Sequence, residues 1–87
     1  MRGASSSAEA ALRRTLWRCR RGMKELDLLL ERFARGPLLE ATPPERAGFE
    51  ELLDLPDPQL AGYLLGGIDP PGASRAHLVR RIRAYVA

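Results

Sequence analysis

The chain has 87 residues, of which 45% are hydrophobic and 29% are charged, and it contains a single cysteine. This length fits one small domain, and the balance of apolar and charged residues excludes a disordered or fibrous chain. No apolar run approaches the ~20 residues that a membrane-spanning helix needs. One cysteine cannot form an internal disulfide, so we expect a protein of a reducing compartment, without membrane insertion.

The charges, which sum to +3, are distributed unevenly along the chain. Residues 1–36 carry nine basic and four acidic residues (+5), residues 37–72 carry one and seven (−6), and residues 73–87 carry four and none (+4). An acidic middle with basic ends favours a molecule that pairs with itself or with a partner of mixed charge. The same pattern argues against a uniformly basic protein that binds nucleic acid.

The spacing of apolar residues predicts helices throughout, because no stretch shows the alternation of a strand and β-branched residues are few. We expect a flexible arm over residues 1–6 and one helical domain over residues 7–87. The first helix is expected to begin near Ser6 or Ser7, either of which could cap it, and to end or kink sharply at Gly22. Its buried stripe consists of Leu12, Leu16 and Cys19.

A second helix is expected to end at Gly36, which a proline follows. The third begins with a predicted capping box, in which Thr42 accepts a hydrogen bond from the Glu45 amide and the Glu45 carboxylate reaches back. The predicted core residues of these two helices are Leu26, Leu29, Leu30, Phe33, Phe49, Leu52 and Leu53.

The fourth helix should start after Pro56, with Asp57 in the same capping role, and should continue to Gly66-Gly67. A turn over residues 69–72 leads to a fifth helix from about Ser74. The predicted core residues of this half are Leu60, Tyr63, Leu64, Leu78, Ile82, Tyr85 and Val86. The expected fold class is therefore all-α, a compact bundle of about five short helices.

Sequence features of an enzyme or a metal site are scarce. Cys19 and His77 are the only cysteine and histidine of the chain, too few for a zinc or haem signature. The position of Cys19 on an apolar stripe favours a structural residue over a Cys–His nucleophile pair. No glycine-rich phosphate loop follows a strand. We therefore predict no catalytic residue, no metal site and no nucleotide-binding fold.

The most unusual stretch runs from Trp17 to Asp27 and surrounds Gly22. If Gly22 adopts a backbone conformation that other residues avoid, Arg21 and Glu25 flank an exposed corner and present a cation and a carboxylate together. The alternative is a solvated turn, with Arg21 and Glu25 in an i,i+4 ion pair of small energetic value. In that interpretation Trp17 anchors the core and a neighbouring methionine fills a gap.

The same residues resemble the signature of a known family. The segment Arg20-Arg21-Gly22-Met23-Lys24-Glu25-Leu26-Asp27-Leu28-Leu29-Leu30, followed by Phe33, is similar to the succinate dehydrogenase flavinylation factors, called SdhE in bacteria and assembly factor 2 in mitochondria. Their Arg-Gly-x-x-Glu pentad is matched by Arg21, Gly22 and Glu25. Segments 49–54 and 57–60 are also similar, so the resemblance covers residues 12–86. Tyr63 stands where the family often has tryptophan.

The resemblance implies a small five-helix assembly factor that is not itself an enzyme. It would bind the flavoprotein subunit of succinate dehydrogenase, with that of fumarate reductase as a further candidate, and promote covalent attachment of FAD to a histidine of the subunit. It would hold no cofactor stably and would act as a monomer, in the bacterial cytoplasm or, in a eukaryote, in the mitochondrial matrix. The residues expected at the partner interface are Trp17, Arg20, Arg21, Gly22, Met23, Glu25 and Asp27.

Two further interpretations are retained. A helical nucleic-acid-binding module could use the arginine-rich first and last helices, although the acidic middle argues against it. A scaffold, or an interaction protein of the toxin–antitoxin kind, is compatible with the composition. In the docking interpretation, Arg21 and Glu25 should both be mostly exposed in the free protein, so that they can reach a partner.

Overall fold

The computed structural model describes residues 2–85, and it describes side chains from residue 9 onward. Within this part of the chain every regular element is helical, so the all-α prediction is confirmed. The elements are α1 (Arg2–Arg18), α2 (Lys24–Arg35), a 3₁₀ turn (Pro37–Glu40), α3 (Pro43–Leu53), α4 (Asp57–Leu64) and α5 (Ala73–Ala84). The 3₁₀ turn is the one element that the helical periodicity did not predict, because it is shorter than two helical turns.

Helix α2 lies at the centre of the bundle and contacts α1, α4 and α5, while α5 also packs against α3 and α4. The apolar stripe of α2 consists of Leu26, Leu30 and Phe33, all of which are fully buried as their i, i+4, i+7 spacing predicts. Phe33 stacks on Phe49 of α3, with ring centroids 5.7 Å apart. The core therefore joins the two halves of the chain through α2.

The boundaries of the first helix differ from the prediction. Helix α1 begins at Arg2, well before Ser6 and Ser7, because serine favours a cap but does not exclude a helical interior, and no proline interrupts this stretch. The flexibility of the arm over residues 1–6 stays a prediction, and Met1 lies outside the described residues. Helix α1 also ends at Arg18, four residues before Gly22.

The predicted capping box of α3 is confirmed. The Thr42 hydroxyl accepts a hydrogen bond from the Glu45 amide, and the Glu45 carboxylate accepts one from the Thr42 amide at 3.0 Å. The analogous prediction for Asp57 is wrong: Pro56 occupies the N-cap position of α4, and the Asp57 carboxylate makes no cap bond. That carboxylate accepts from Arg21 instead, which is a contact between residues distant in sequence.

The last helix follows its prediction closely. Helix α5 begins at Ala73, one residue before the expected Ser74, and it buries Leu78, Val79 and Ile82 against the bundle. Tyr85 is half-buried just after its end and meets the Phe33 ring edge-on, with centroids 6.3 Å apart. Val86, which was also expected in the core, lies outside the described residues.

Candidate functional site

The predicted site is a corner in which five residues, 19–23, connect α1 to α2. Gly22 has φ +83°, so the expected special backbone conformation is present. The Asp27 carboxylate accepts hydrogen bonds from the amides of Arg21 at 2.9 Å and Gly22 at 3.2 Å. Asp27 therefore acts inside the protein, where it satisfies the amides of two loop residues that have no helical partner.

Arg21 lies differently from the prediction. Its Nε donates to the Asp57 carboxylate at 2.9 Å, and its two terminal nitrogens donate to the carbonyl oxygens of Leu55 at 2.8 Å and Arg18 at 3.0 Å. Only 13% of the Arg21 side chain is exposed. The expectation of a mostly exposed guanidinium is wrong, because the planar fork fits two carbonyls and a carboxylate of its own chain.

Glu25 is exposed, in the first turn of α2. The alternative in which Glu25 pairs with Arg21 is also wrong, since the Arg21 guanidinium turns away towards the loop between α3 and α4. Met23 precedes α2 at its N-cap position and is exposed as well. A Cβ added at Gly22 would meet no atom within 4 Å, so the corner is open on its outer side.

Trp17 is not a core anchor. It is 68% exposed on the last turn of α1, and the guanidinium carbon of Arg20 lies 5.2 Å from its ring centroid. A cation over an indole face is a favourable arrangement that leaves the charge accessible to solvent. Trp17 and Arg20 therefore form an exposed aromatic and cationic pair next to the corner.

A groove of about 630 Å³ runs between α1 and α2. Three of the predicted residues line it, namely Trp17, Arg20 and Asp27. The remaining four, Arg21, Gly22, Met23 and Glu25, belong to the corner and do not line the groove. The structure thus separates the predicted residues into two adjacent features, an open corner and a groove beside it.

The sequence interpretation did not assign the other four charged residues of the groove, Arg13, Arg14, Glu31 and Arg35, to the site. A signal for two of them was present, because Arg13 and Arg14 precede Trp17 by four and three residues and so share its helix face. It also did not predict which carboxylate accepts a hydrogen bond from Arg21. No local pattern indicates that Asp57, 36 residues away, accepts from Arg21.

Cys19 lies at the base of the groove with 1% of its surface exposed. Burial, reinforced by the charges of Glu31 and Glu50, raises the pKa of the thiol to about 12. The thiol is therefore neutral at physiological pH and a poor nucleophile. His77 lines a different cavity, between α3 and α5, so the two residues do not form a dyad.

Neither a metal centre nor a membrane anchor is found within the described part of the chain. No group of three or more histidine, cysteine, aspartate or glutamate side chains converges there. None of the described helices has the length and apolar character to span a bilayer. Among the described residues, the predicted interface residues belong to the corner and to the groove beside it.

The acidic middle segment and the two basic ends of the chain form ion pairs with each other. Six of the seven acidic residues in segment 37–72 pair with arginines from the two basic ends. The pairs are Arg18 with Glu50 and Asp54, Arg21 with Asp57, Arg75 with Glu51, Arg80 and Arg83 with Asp69, and Arg81 with Glu45. Every arginine of the last helix is therefore paired with a carboxylate of the chain, which disfavours that helix as a surface for nucleic acid.

Comparison with known proteins gives a consistent result. The chain matches the family described as "Flavinator of succinate dehydrogenase" over residues 13–86. It is 42% identical over 73 residues to the FAD assembly factor SdhE of Coxiella burnetii, an alignment that covers 84% of this chain and 89% of that protein. The corresponding protein of Methylococcus capsulatus is 45% identical over 73 residues, covering 84% and 88%.

The same name is carried by a protein of Xylella fastidiosa that is 40% identical over 78 residues, covering 90% of this chain and 80% of the relative. No solved structure matches the chain. The comparisons do not support the nucleic-acid alternative, and they confirm the resemblance carried by the residues around Gly22. The chain belongs to the family of succinate dehydrogenase flavinators.

Proposed function

We propose that this protein is an assembly factor that binds the flavoprotein subunit of succinate dehydrogenase and promotes covalent attachment of FAD to it. The observation that carries the proposal is the family match over residues 13–86, which includes the whole Gly22 corner and most of the groove. Relatives that align with more than four fifths of this chain are named FAD assembly factors.

In this proposal the predicted interface residues divide into two groups. Gly22, Met23 and Glu25 at the corner, with Trp17 and Arg20 beside it, are exposed and contact the partner. Arg21 and Asp27 hold the corner in shape through hydrogen bonds to their own chain and act on the partner through the residues that they position. Arg21 donates to Arg18, Leu55 and Asp57, and Asp27 accepts from the amides of Arg21 and Gly22.

The protein acts as a helper rather than as an enzyme. The bond between the flavin and a histidine forms on the flavoprotein, and the helper contributes by holding that subunit in a geometry where the two groups can react. It binds no FAD stably itself and acts as a cytoplasmic monomer. The flavoprotein of fumarate reductase is a second client in this proposal, as the family resemblance implies.

The experiment is deletion of the gene, followed by in-gel fluorescence of covalent flavin on the succinate dehydrogenase flavoprotein. We expect loss of the flavin signal and its recovery with the wild-type gene. A gene with Glu25→Ala should restore much less signal, whereas the matched control Glu40→Ala, another exposed glutamate on the 3₁₀ turn, should restore it fully. Normal covalent flavin in the deletion strain would overturn the proposed function.

A further inference from the structure

The groove between α1 and α2 has a distinct chemical character that the family match does not describe. One wall is formed by Ala10, Arg13, Arg14 and Trp17 of α1, whose i, i+3, i+4, i+7 spacing places them on a single helix face. Arg20 continues this wall beyond the end of the helix and lies over the Trp17 ring. The wall therefore combines three cations with one large aromatic surface.

These three cations differ from most arginines of the chain. Arg13, Arg14 and Arg20 are exposed, and none pairs with a carboxylate among the side chains that the structure describes. The opposite wall offsets their charge only in part, because Asp27, Glu31 and Arg35 together carry a net charge of −1 against the +3 of the α1 wall. Asp27 accepts from backbone amides, and Glu31 pairs with Arg35 at 3.1 Å.

A second copy of this chain is poorly suited to fill the groove. Its acidic middle segment would be the natural complement, but six of the seven acidic residues there are paired within their own chain. Only Glu40 of that segment is left. The ligand that complements the groove must therefore bring carboxylates of its own.

We propose that the groove binds an acidic segment of the flavoprotein subunit. Carboxylates of that segment accept hydrogen bonds from the forks of Arg13, Arg14 and Arg20, and an apolar or aromatic side chain covers Trp17. This inference rests on the proposed function and specifies the partner chemistry at one part of its interface. It extends the interface beyond the corner to α1 residues that lie outside the Arg-Gly-x-x-Glu pentad.

The first test is a binding titration of the full chain against the purified flavoprotein subunit at about 50 and 200 mM salt. The variant Arg13→Glu with Arg14→Glu should bind at least tenfold more weakly at the lower salt concentration, and its affinity should depend less on salt. The control Arg32→Glu with Arg46→Glu changes the net charge equally at two exposed arginines outside the groove. It should stay within about threefold of wild type.

Each outcome separates the two proposals. If wild type binds and flavinylates but the Arg13→Glu, Arg14→Glu variant binds equally well, the groove assignment is overturned and the proposed function stands. The groove assignment also fails if both double variants lose affinity to the same extent, since the effect would then be general charge. If wild type neither binds the subunit nor raises its flavinylation, the proposed function fails, and the groove proposal fails with it.

A second test identifies the chemistry of the occupant. Arg14→Lys keeps the charge and introduces an amine, which a zero-length carbodiimide reagent joins to a carboxylate in direct contact. The only native lysine is Lys24, so a link at residue 14 is identified by peptide mass spectrometry. We expect a link to an aspartate or glutamate of the flavoprotein and none from the control Arg32→Lys. Intact binding without a link at residue 14 would contradict an acidic occupant.

Discussion

Arginines are paired with carboxylates in one region of this small protein and exposed without such partners in another. On the face formed by α3 and α5, and at the Gly22 corner, arginines pair with carboxylates of the acidic middle segment and hold distant parts of the chain together. On the groove wall of α1, Arg13, Arg14 and Arg20 are exposed without such partners among the described side chains. The difference shows that composition alone does not distinguish a cation used in folding from one available to a partner.

Replacement of Arg21 should give the largest effect, because it removes three hydrogen bonds at once. We expect Arg21→Ala to lower the free energy of unfolding by about 2–3 kcal/mol, which is a melting temperature lower by roughly 10–15 °C. Thermal unfolding followed by circular dichroism measures this. Asp57→Ala removes one of the three contacts and should cost less, about 1 kcal/mol. Wild-type stability of Arg21→Ala would show that these three hydrogen bonds contribute little to folding.

Replacement of Cys19 shows whether this residue, which lies between the groove and the core, serves stability or function. Cys19→Ala removes a fully buried sulfur and should lower the free energy of unfolding by about 1–2 kcal/mol. Because the thiol is neutral at physiological pH, the folded variant should support covalent flavinylation at the wild-type level. Loss of flavinylation with a folded Cys19→Ala protein would reveal a role for the thiol.

Acid should weaken the hydrogen bonds and ion pairs made by the carboxylates of the acidic middle segment. The Thr42 amide, with help from Arg81, holds the pKa of the Glu45 carboxyl below its usual range, and the Arg83 guanidinium does the same for the pKa of Asp69. A lowered carboxyl pKa stabilises the fold above the ordinary pKa, and that contribution is lost as pH falls through the folded value. We expect a modest fall in urea midpoint from about pH 5 downwards. Glu45→Gln with Asp69→Asn should reduce this pH dependence.

The exposed residues should have the smallest effect on stability. Trp17→Ala and Glu25→Ala each change the free energy of unfolding by no more than about 0.5 kcal/mol, since neither side chain is buried. Both should nevertheless weaken binding to the flavoprotein subunit, measured by calorimetry on the same preparations. Strong destabilisation of either variant would place that residue in the folding network and remove it from the interface.

Local patterns predicted most of the fold. The apolar spacing of Leu26, Leu30 and Phe33 and the capping box at Thr42 both depend on neighbours within one or two helical turns, and both are present in the structure. The start of α1 was less predictable, because a serine near a helix end permits a cap without requiring one. The conformation of Gly22 was anticipated from its position between two amphipathic segments.

The candidate site was only partly predictable, for a physical reason. The pairing of Arg21 with Asp57 joins residues 36 positions apart, and the packing of α2 against α4 decides it. A sequence pattern cannot show whether an arginine beside a glycine points to solvent or back to its own chain. The spacing of Trp17 left two interpretations open, because an indole there suits a core as well as a surface, and the exposed position agrees with the interface prediction that came from the family resemblance.

Trp17 has one more consequence, since it is the only tryptophan of the chain and it stands exposed beside Arg20. When tryptophan is excited selectively over the two tyrosines, the emission of the free protein therefore originates from a hydrated indole on the groove wall. Occupation of the groove removes water from that ring and shifts the emission towards the blue. The native protein thus carries its own optical reporter of groove occupancy, which needs no label and no substitution.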